Sequence, residues 1–291
     1  MPKVKKGTVF EVAITMNSTD KGNIGILKGL LLNVGVAKDA IIECEQWPHT
    51  NLSVYFKSRT KALTLKKRLL VFHLRGVPVT LKSLEKGDWQ TKWKEEFKPF
   101  SLTRTFAVIP LRYKHKRRIR GRAPIYIDTD LAFGTGLHAT TRFMAQFIER
   151  CTGRFESFLD LGTGTGILAV IAAKCGAGDV QAIDICKDAV KIARQNCIEN
   201  DCFSVDIKTA DVQKYQTKKQ YDLVAANILT QELIRTADKI ISFVKPGKYL
   251  AVSGISLNSY DVFRQAYARY PLRCVKIEKG EGWVALLYKK V

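Results

Sequence analysis

The chain has 291 residues, of which 46% are hydrophobic, and this composition excludes a mainly disordered protein. No apolar run approaches the roughly 20 residues that a membrane-spanning helix needs. The first residues lack the apolar segment of a signal peptide, and the seven cysteines include no Cys-x-x-Cys pair. We therefore expect a globular, cytoplasmic protein, monomeric by default, with neither a disulfide framework nor a bound metal.

The formal net charge of +21 is concentrated in the first part of the chain. Residues 1–125 hold 26 basic and 9 acidic side chains, whereas residues 126–291 hold 22 basic and 18 acidic ones. Such an excess favours an acidic partner, such as nucleic acid or a ribonucleoprotein. A lysine-rich surface without any such partner explains the charge equally well, because charge governs association and solubility rather than fold.

Residues 1–84 have the pattern of a small α/β domain. Apolar and polar residues alternate at strand period over 8–15, and apolar residues then recur at helical spacing over 24–31. Three further strands and a second helix follow, at 40–45, 52–56, 77–81 and 59–72. The order β-α-β-β-α-β suggests a ferredoxin-like fold, which hosts many functions and identifies none.

Residues 85–98 form a charged segment in which Trp89, Trp93 and Phe97 recur every four residues. This spacing places the three rings on one side of a helix. We expect a linker helix that packs against a neighbouring element. An RNA-stacking platform is the less favoured interpretation, because it requires exposed ring faces.

Lys114 to Arg122 is the densest run of basic residues in the chain. Strand-like segments at 105–111 and 123–128 flank the run, so we expect a hairpin loop. A solvated loop is one interpretation. Contact with phosphate groups, such as those of ribosomal RNA, is the other.

In the predicted second domain, residues 99–291, strands alternate with helices from residue 158 onward. The predicted strands are 158–161, 180–183, 205–209, 221–225, 249–253, 274–279 and 283–289, and the predicted helices are 169–174, 188–200, 231–243 and 259–269. This alternation predicts βαβ units in a doubly wound, mostly parallel seven-stranded sheet. The last two strands form an antiparallel hairpin at one edge.

The segment Phe158-Leu-Asp-Leu-Gly-Thr-Gly-Thr-Gly-Ile167 leads from a strand through a glycine loop into a helix. Gly162, Gly164 and Gly166 allow a tight turn and a close approach of the backbone to a ligand, where a Cβ would collide. The spacing is neither that of a dinucleotide-binding fingerprint nor that of a P-loop, so phosphate chemistry is disfavoured.

Polar side chains stand at the ends of successive predicted strands. Asp160 is placed to engage the ammonium group of an amino-acid-bearing ligand, and Asp184 follows Gly162 by 22 residues, where a carboxylate accepts both ribose hydroxyls of a nucleoside. Asp211 is placed to contact an adenine amino group, and Asn227 lies where substrate would meet cofactor. Each side chain alone could merely cap a helix, but together they predict a nucleoside site.

Residues 160–166 resemble motif I of S-adenosylmethionine-dependent methyltransferases. Leu131-Ala-Phe-Gly-Thr-Gly-Leu-His-Ala-Thr-Thr141 and Ala226-Asn-Ile-Leu229 look like signatures of the ribosomal protein L11 methyltransferase (PrmA) family. The Trp89 to Pro99 segment, Lys245-Pro-Gly247 and Ser253-Gly-Ile255 extend this similarity. The resemblance runs from about Glu85 to Trp283, and the first eighty residues match only in arrangement, as the family's small substrate-recognition domain.

The resemblance implies a class I methyltransferase that uses S-adenosylmethionine to methylate lysine and/or N-terminal amino groups of ribosomal protein L11. The expected cofactor-binding residues are Thr141, Asp160, Gly162, Thr163, Gly164, Gly166, Asp184, Asp211 and Asn227. Asn227 is also the expected catalytic residue, since its side-chain oxygen can accept hydrogen bonds from the acceptor amine. His138 is better interpreted as a packing or polar-contact residue than as a base.

Ile228 and Leu229 stand where glutamine and adenine methyltransferases have Pro-Pro-Tyr, which suggests a roomier slot suited to a flexible amine. Two alternatives remain open. One is methylation of RNA or of another ribosome-associated protein, with the basic N-terminal half gripping phosphate. The other is a noncatalytic RNA-binding or scaffold module, which the intact Asp160, Asp184 and Asn227 disfavour.

Overall fold

The chain divides into two units, Met1–Glu96 and Phe97–Val291. The computed structural model describes residues 9–17, 27, 30–31, 36, 41–46, 49–56, 58–71, 77–84, 98–128 and 135–291. The expected linker helix at 85–98, with its three aromatic rings, therefore lies outside the described residues except for Lys98.

The first unit contains a four-stranded antiparallel sheet and a helix, α1 (Arg59–Val71). The strands are β1 (Val9–Asn17), β2 (Ile41–Gln46), β3 (His49–Phe56) and β4 (Val79–Leu84), in the order β2-β3-β1-β4. Helical backbone also occurs at Leu27, Leu30 and Leu31, between β1 and β2.

The core of the first unit follows from the period-two pattern of its strands. Val12 and Ile14 are buried and pair with Val54 and Leu52 across β1 and β3. Leu69 of α1 packs in the same cluster and is fully buried.

The second unit begins with a three-stranded sheet of β5 (Phe100–Ser101), β6 (Phe106–Pro110) and β7 (Ala123–Ile127). The strands β6 and β7 are parallel, so the expected hairpin at 114–122 is wrong. Parallel strands need a crossover of about a dozen residues, because the chain must return to the end where the first strand began. Residues 111–122 make that crossover, starting with a 3-10 helix at Leu111–Tyr113.

A seven-stranded sheet forms the centre of the second unit. Its strands are β8 (Ser157–Leu161), β9 (Asp179–Asp184), β10 (Val205–Thr209), β11 (Tyr221–Asn227), β12 (Val244–Ser256), β13 (Leu272–Gly280) and β14 (Trp283–Lys290). The order is β10-β9-β8-β11-β12-β14-β13. The first five strands are parallel and β14 is antiparallel to both neighbours, so the sheet is mixed and mostly parallel, as predicted.

Helices cover both faces of this sheet. They are α2 (Ala139–Arg150), α3 (Ile167–Lys174), α4 (Lys187–Glu199), α5 (Thr230–Arg235), α6 (Ala237–Ser242) and α7 (Tyr260–Tyr267). The single helix expected at 231–243 is two helices, which meet at Thr236 with φ −105° and ψ 13°.

Alternate residues of each central strand enter two different cores. Phe158 and Ala225 pack with helices α2, α3 and α4 on one face, whereas Leu159 and Val224 pack with α5, α6 and α7 on the other. This alternation is the physical basis of a doubly wound sheet. In the part of the chain that the structure describes, no helix is both long and apolar enough to span a bilayer.

Candidate active site

The carboxyl ends of three neighbouring parallel strands bring the predicted site residues together. In the sheet order β9-β8-β11, Asp184 ends β9, Asp160 lies one residue before the end of β8, and Asn227 ends β11. Asp160 pairs in register with Ala225 and Ala182. Ligands of open α/β sheets bind at this edge, where the strand order reverses.

The glycine loop after β8 turns tightly against its neighbours. Gly162 and Thr163 donate their backbone N–H groups to the carbonyl of Ile183, at 2.9 and 3.0 Å. Gly162 has φ +74°, and a Cβ at this position would lie 2.5 Å from Cγ2 of Ile228. Glycine is therefore required here both by the backbone conformation and by close packing.

Asp160 is fully buried, and only one of its carboxylate oxygens has a partner. Its Oδ2 accepts a hydrogen bond from Thr163 Oγ1 at 2.6 Å, whereas Oδ1 has none within the described residues. Burial raises the pKa of Asp160 to about 7; the Thr163 hydrogen bond opposes this rise and the charge of Asp184 adds to it. A cation is the partner that such a carboxylate lacks.

Asp184 fixes the glycine loop with its carboxylate. Oδ2 accepts the N–H of Gly164 and Oδ1 accepts the N–H of Cys186, both at 2.9 Å. Each oxygen can accept a second hydrogen bond, so the carboxylate can still receive hydroxyl donors from a ligand. The same side chain thus shapes the loop and faces the site edge.

Asp211 follows β10 by two residues, and its Oδ1 accepts the N–H of Gln213 at 2.9 Å. This hydrogen bond is that of an Asx turn, which supports the following segment. The geometry gives Asp211 a structural role in the turn. Its predicted contact with adenine stays a prediction.

Thr141 and Asn227 each bury a side-chain oxygen that has no hydrogen-bond partner among the described residues. Thr141 lies in the first turn of α2, where backbone N–H groups and the helix dipole favour an anion. Because buried polar atoms are normally hydrogen-bonded, these two oxygens, together with Asp160 Oδ1, indicate a ligand that supplies their partners.

His138 is the N-cap residue of α2. Its Nδ1 lies 2.7 Å from Thr140 Oγ1, and its ring packs edge-on against Trp283 with centroids 5.0 Å apart. Burial lowers the pKa of His138; Glu281 counteracts this and Arg142 adds to it. The ring is therefore neutral near pH 7 and is held by its neighbours.

A cavity of about 380 Å³ lies beside Asn227. Its walls are His138, Thr140, Asn227, Ile228, Leu229, Glu232, Gly254 and Trp283. Gly254, with φ +87°, allows β12 to pass directly against Ile228, whose backbone carbonyl would overlap a Cβ at this position.

Sequence reasoning did not assign Thr140, Glu232, Gly254 or Trp283 to the site. The signals that the sequence offers are the Ser-Gly-Ile segment around Gly254 and the tryptophan after Gly282, which belong to the family resemblance but do not by themselves indicate the site. Their convergence on Asn227 depends on the pairing of β12 with β11 and β14.

The family model for "Ribosomal protein L11 methyltransferase (PrmA)" matches residues 21–291. A ribosomal protein L11 methyltransferase of Trichlorobacter lovleyi is 34% identical over 226 residues, which cover 75% of this chain and 73% of that protein. A protein of the same name from Geobacter metallireducens is 34% identical over 214 residues, or 73% of this chain and 69% of that one.

Among solved structures, the ribosomal protein L11 methylase of Lactobacillus delbrueckii subsp. bulgaricus superposes with a TM-score of 0.62. The two sequences are 26% identical, and the match covers 67% of this chain and 99% of that chain. The chain therefore belongs to the ribosomal protein L11 methyltransferase (PrmA) family of S-adenosylmethionine-dependent methyltransferases, as its motifs predicted.

Proposed function

We propose that the protein transfers methyl groups from S-adenosylmethionine to lysine and/or N-terminal amino groups of ribosomal protein L11. The observation that carries this proposal is the position of Asn227. Its Oδ1 is buried without a partner in the described structure, at the end of β11 and beside a cavity with mostly apolar walls. The names of the relatives support L11 as the substrate.

The residues at the strand ends fit the cofactor. Asp160 Oδ1 would hold the methionine ammonium group, and the hydroxyl of Thr141 would donate to the methionine carboxylate. Asp184 would accept the ribose hydroxyls, and the glycine loop lets the backbone approach closely. Asp211 would contact the adenine amino group. S-Adenosylmethionine supplies a methyl group that its sulfonium already activates, so the protein's task is mainly to position the two reactants.

The acceptor amine must be neutral, because an ammonium nitrogen has no lone pair to share. A lysine amine has a pKa of about 10.4 in water. Burial against Ile228 and Trp283 disfavours the charged form and lowers that pKa, whereas the Glu232 carboxylate in the same cavity wall acts in the opposite direction. Asn227 Oδ1 can then accept an N–H of the amine and orient its lone pair.

The cavity offers apolar contact for the methylene chain of a flexible amine. The two residues directly after Asn227 are the aliphatic Ile228 and Leu229, so no aromatic side chain adjoins Asn227 along the chain, although the Trp283 ring forms part of the cavity wall. We assign His138 to the wall of this cavity rather than to proton transfer, because Thr140 and Trp283 already hold its ring.

We assign substrate recognition to the first unit and propose for it a ferredoxin-like arrangement. The strand order β2-β3-β1-β4, with helical backbone between β1 and β2 and α1 between β3 and β4, supports this assignment. A polar linker at 85–98 would let this unit present several amines of one substrate to one site.

The test is transfer of label from S-adenosylmethionine to three separate acceptors: free ribosomal protein L11, ribosomal RNA and assembled large subunits. We expect label on amino groups of L11. Asn227→Ala should abolish transfer but should weaken cofactor binding, measured by calorimetry, far less, because Asp160, Thr141 and Asp184 remain. Asn258→Ala, at an exposed position outside the cavity, should leave both transfer and affinity unchanged. Label found only in RNA would establish the alternative substrate instead.

A further inference from the structure

The crossover between β6 and β7 presents a cluster of cations to solvent. Lys116, Arg117, Arg118 and Arg120 are all exposed. Within the described part of the chain, none of these four side chains forms an ion pair. The methyl-transfer site does not use them, and we call them the crossover cations.

Both ends of this basic run are held by the fold. Lys114 Nζ donates to the carbonyl oxygen and to Oε2 of Glu199, at 3.0 and 2.9 Å, and lies 5.0 Å from the centre of the Tyr126 ring. Arg122 donates to the carbonyl of Thr103. The crossover cations therefore stand on an anchored connection, which limits the entropy lost on binding.

An exposed aromatic residue, Phe203, follows the anchoring Glu199 by four residues in the sequence. Lys114 docks on Glu199, the last residue of α4, and the turn after α4 carries Phe203, which is 73% exposed. Phe203 also lines a shallow cavity of about 290 Å³ together with Arg194 and Ile198. Cations combined with an exposed ring are the surface elements that bind nucleic acid strands, through phosphate contacts and base stacking.

The surface lies far from the cofactor site. Helix α4 starts just after Asp184 at the site edge and ends at Glu199. Thirteen helical residues span about 20 Å. A ligand at the crossover therefore does not compete with the methyl donor, and the two binding events can be measured separately.

We propose that the crossover cations and Phe203 form an RNA-binding surface, in which the basic side chains contact phosphates and Phe203 stacks on an unpaired base. We favour RNA over an acidic protein because the exposed Phe203 ring can stack on a base, whereas the carboxylate side chains of an acidic protein cannot stack on it. This surface is independent of the proposed acceptor amine, so either assignment can fail without the other.

The experiment measures binding of a fluorescent single-stranded RNA of about a dozen nucleotides to the full-length protein over a range of salt concentrations. The variant Arg117→Gln/Arg118→Gln/Arg120→Gln should bind at least about tenfold more weakly, and the slope of log K against log salt should fall by about 2, since each lost phosphate contact contributes roughly 0.7. Lys214→Gln/Lys218→Gln/Arg273→Gln removes the same charge from exposed positions elsewhere and should leave the slope unchanged.

Phe203→Ala should weaken binding about fivefold or more without changing the salt slope. Ile198→Ala, at an exposed apolar position in the same cavity, is its control and should bind RNA as the parent protein does. Unchanged affinity for S-adenosylmethionine in all four variants would show that the fold is intact.

Three results would overturn the proposal. The first is an equal loss of RNA binding in both charge variants. The second is equally tight binding of polyglutamate of matched charge, which offers no bases to stack. The third is a variant of Arg117, Arg118 and Arg120 that loses binding to ribosomal protein L11 but keeps binding to RNA, which would identify this surface as a protein-docking surface.

Discussion

At the scale of single residues, the site is defined by what its polar atoms lack. Thr141 Oγ1, Asp160 Oδ1 and Asn227 Oδ1 are buried without partners in the described structure. A buried unsatisfied polar group costs about 1–3 kcal/mol. A ligand that supplies an ammonium, a carboxylate and an amine N–H would recover that free energy, and S-adenosylmethionine with an amine substrate carries all three groups.

Asp184→Ala should weaken S-adenosylmethionine binding by about tenfold or more, because two hydrogen bonds to a carboxylate would be lost. The substitution also removes the acceptors for Gly164 and Cys186. Asp184→Asn retains an acceptor oxygen and should bind more tightly than the alanine variant. Calorimetry measures both affinities, and an unchanged value for Asp184→Ala would show that the ribose assignment is wrong.

The affinity for S-adenosylmethionine should rise with pH through about 7 and level off above it, as the Asp160 carboxyl becomes fully ionised. Without ligand, the pKa of Asp160 in the folded protein is about 7, far above its value of about 4 in the unfolded chain. The free protein therefore loses stability as the pH rises from about 4 to 7, because the unfolded chain ionises this carboxyl more easily than the folded protein does. A bound ammonium group favours the ionised form, so binding below pH 7 releases a proton.

Calorimetry in buffers of different ionisation enthalpy measures that proton release. Asp160→Asn cannot ionise, so it should bind weakly and should lose this part of the pH dependence. The same pH dependence in Asp160→Asn and in the parent protein would assign the proton to another group.

At the scale of elements, a loop and a strand meet at Ile228. The glycine loop after β8 approaches its side chain at Gly162, and β12 approaches its backbone at Gly254. These contacts position the segment that carries Asn227. Neither Gly162 nor Gly254 has room for a Cβ against Ile228. Side-chain volume at these two glycines controls the geometry of the acceptor cavity.

Gly254→Ala should lower kcat by about a hundredfold, because an added methyl group displaces the carbonyl of Ile228 and with it Asn227. Cofactor affinity should change much less, since Asp160 and Asp184 lie on other strands. Gly247→Ala is the matched control: φ is +72° there, but no atom lies within 4 Å of the new Cβ. Equal losses of kcat in both variants would point to backbone strain instead of displacement.

Asp222 joins the start of β8 to the start of β11. It is buried and accepts the N–H groups of Glu156 and Ser157 and the ammonium groups of Lys245 and Lys248. Burial would raise the pKa of Asp222, but these hydrogen bonds outweigh it and hold the pKa far below its ordinary range.

Asp222→Asn should therefore destabilise the protein by about 2–4 kcal/mol near pH 7, seen as a lower Tm. Because the folded-state pKa is depressed, this contribution is complete above the unfolded pKa of about 4 and is lost as pH falls below it. The Tm difference should shrink in acid. Asp238→Asn, at an exposed ion pair with Arg269, should change stability by less than about 1 kcal/mol. A Tm loss that persists in acid would mean that packing, not charge, is responsible.

At the scale of the whole molecule, each unit buries its own apolar residues. The first unit has one core, and the second has one on each face of its large sheet. All the described residues of the candidate site belong to the second unit. Cofactor chemistry and the proposed substrate recognition are therefore assigned to different units.

A chain consisting of residues 97–291 should bind S-adenosylmethionine as the full-length protein does, because it contains the whole described site. Its kcat/KM for ribosomal protein L11 should fall by about tenfold or more, since the proposed recognition unit no longer raises the local concentration of the amines. Calorimetry and methyl transfer separate the two effects. Full activity of the shortened chain would contradict the role assigned to the first unit.

The sequence by itself determined the elements of the large sheet and the residues at the tips of its strands. Apolar periodicity is a local property, so the strands that carry Asp160, Asp184 and Asn227 were predicted to within a few residues. The glycine loop was equally predictable, because glycine adopts positive φ values without the steric cost that other residues bear.

Only the tertiary structure decided how distant segments meet. The pattern around residues 106–127 indicates two strands but not their relative direction. The sequence therefore predicted a hairpin where the structure has a crossover between parallel strands. The break at Thr236, the hydrogen bond of Asp211 to its own turn and the cavity beside Asn227 also escaped prediction. Strand direction and cavity walls depend on contacts between residues far apart in the chain, and a local pattern contains no information about such contacts.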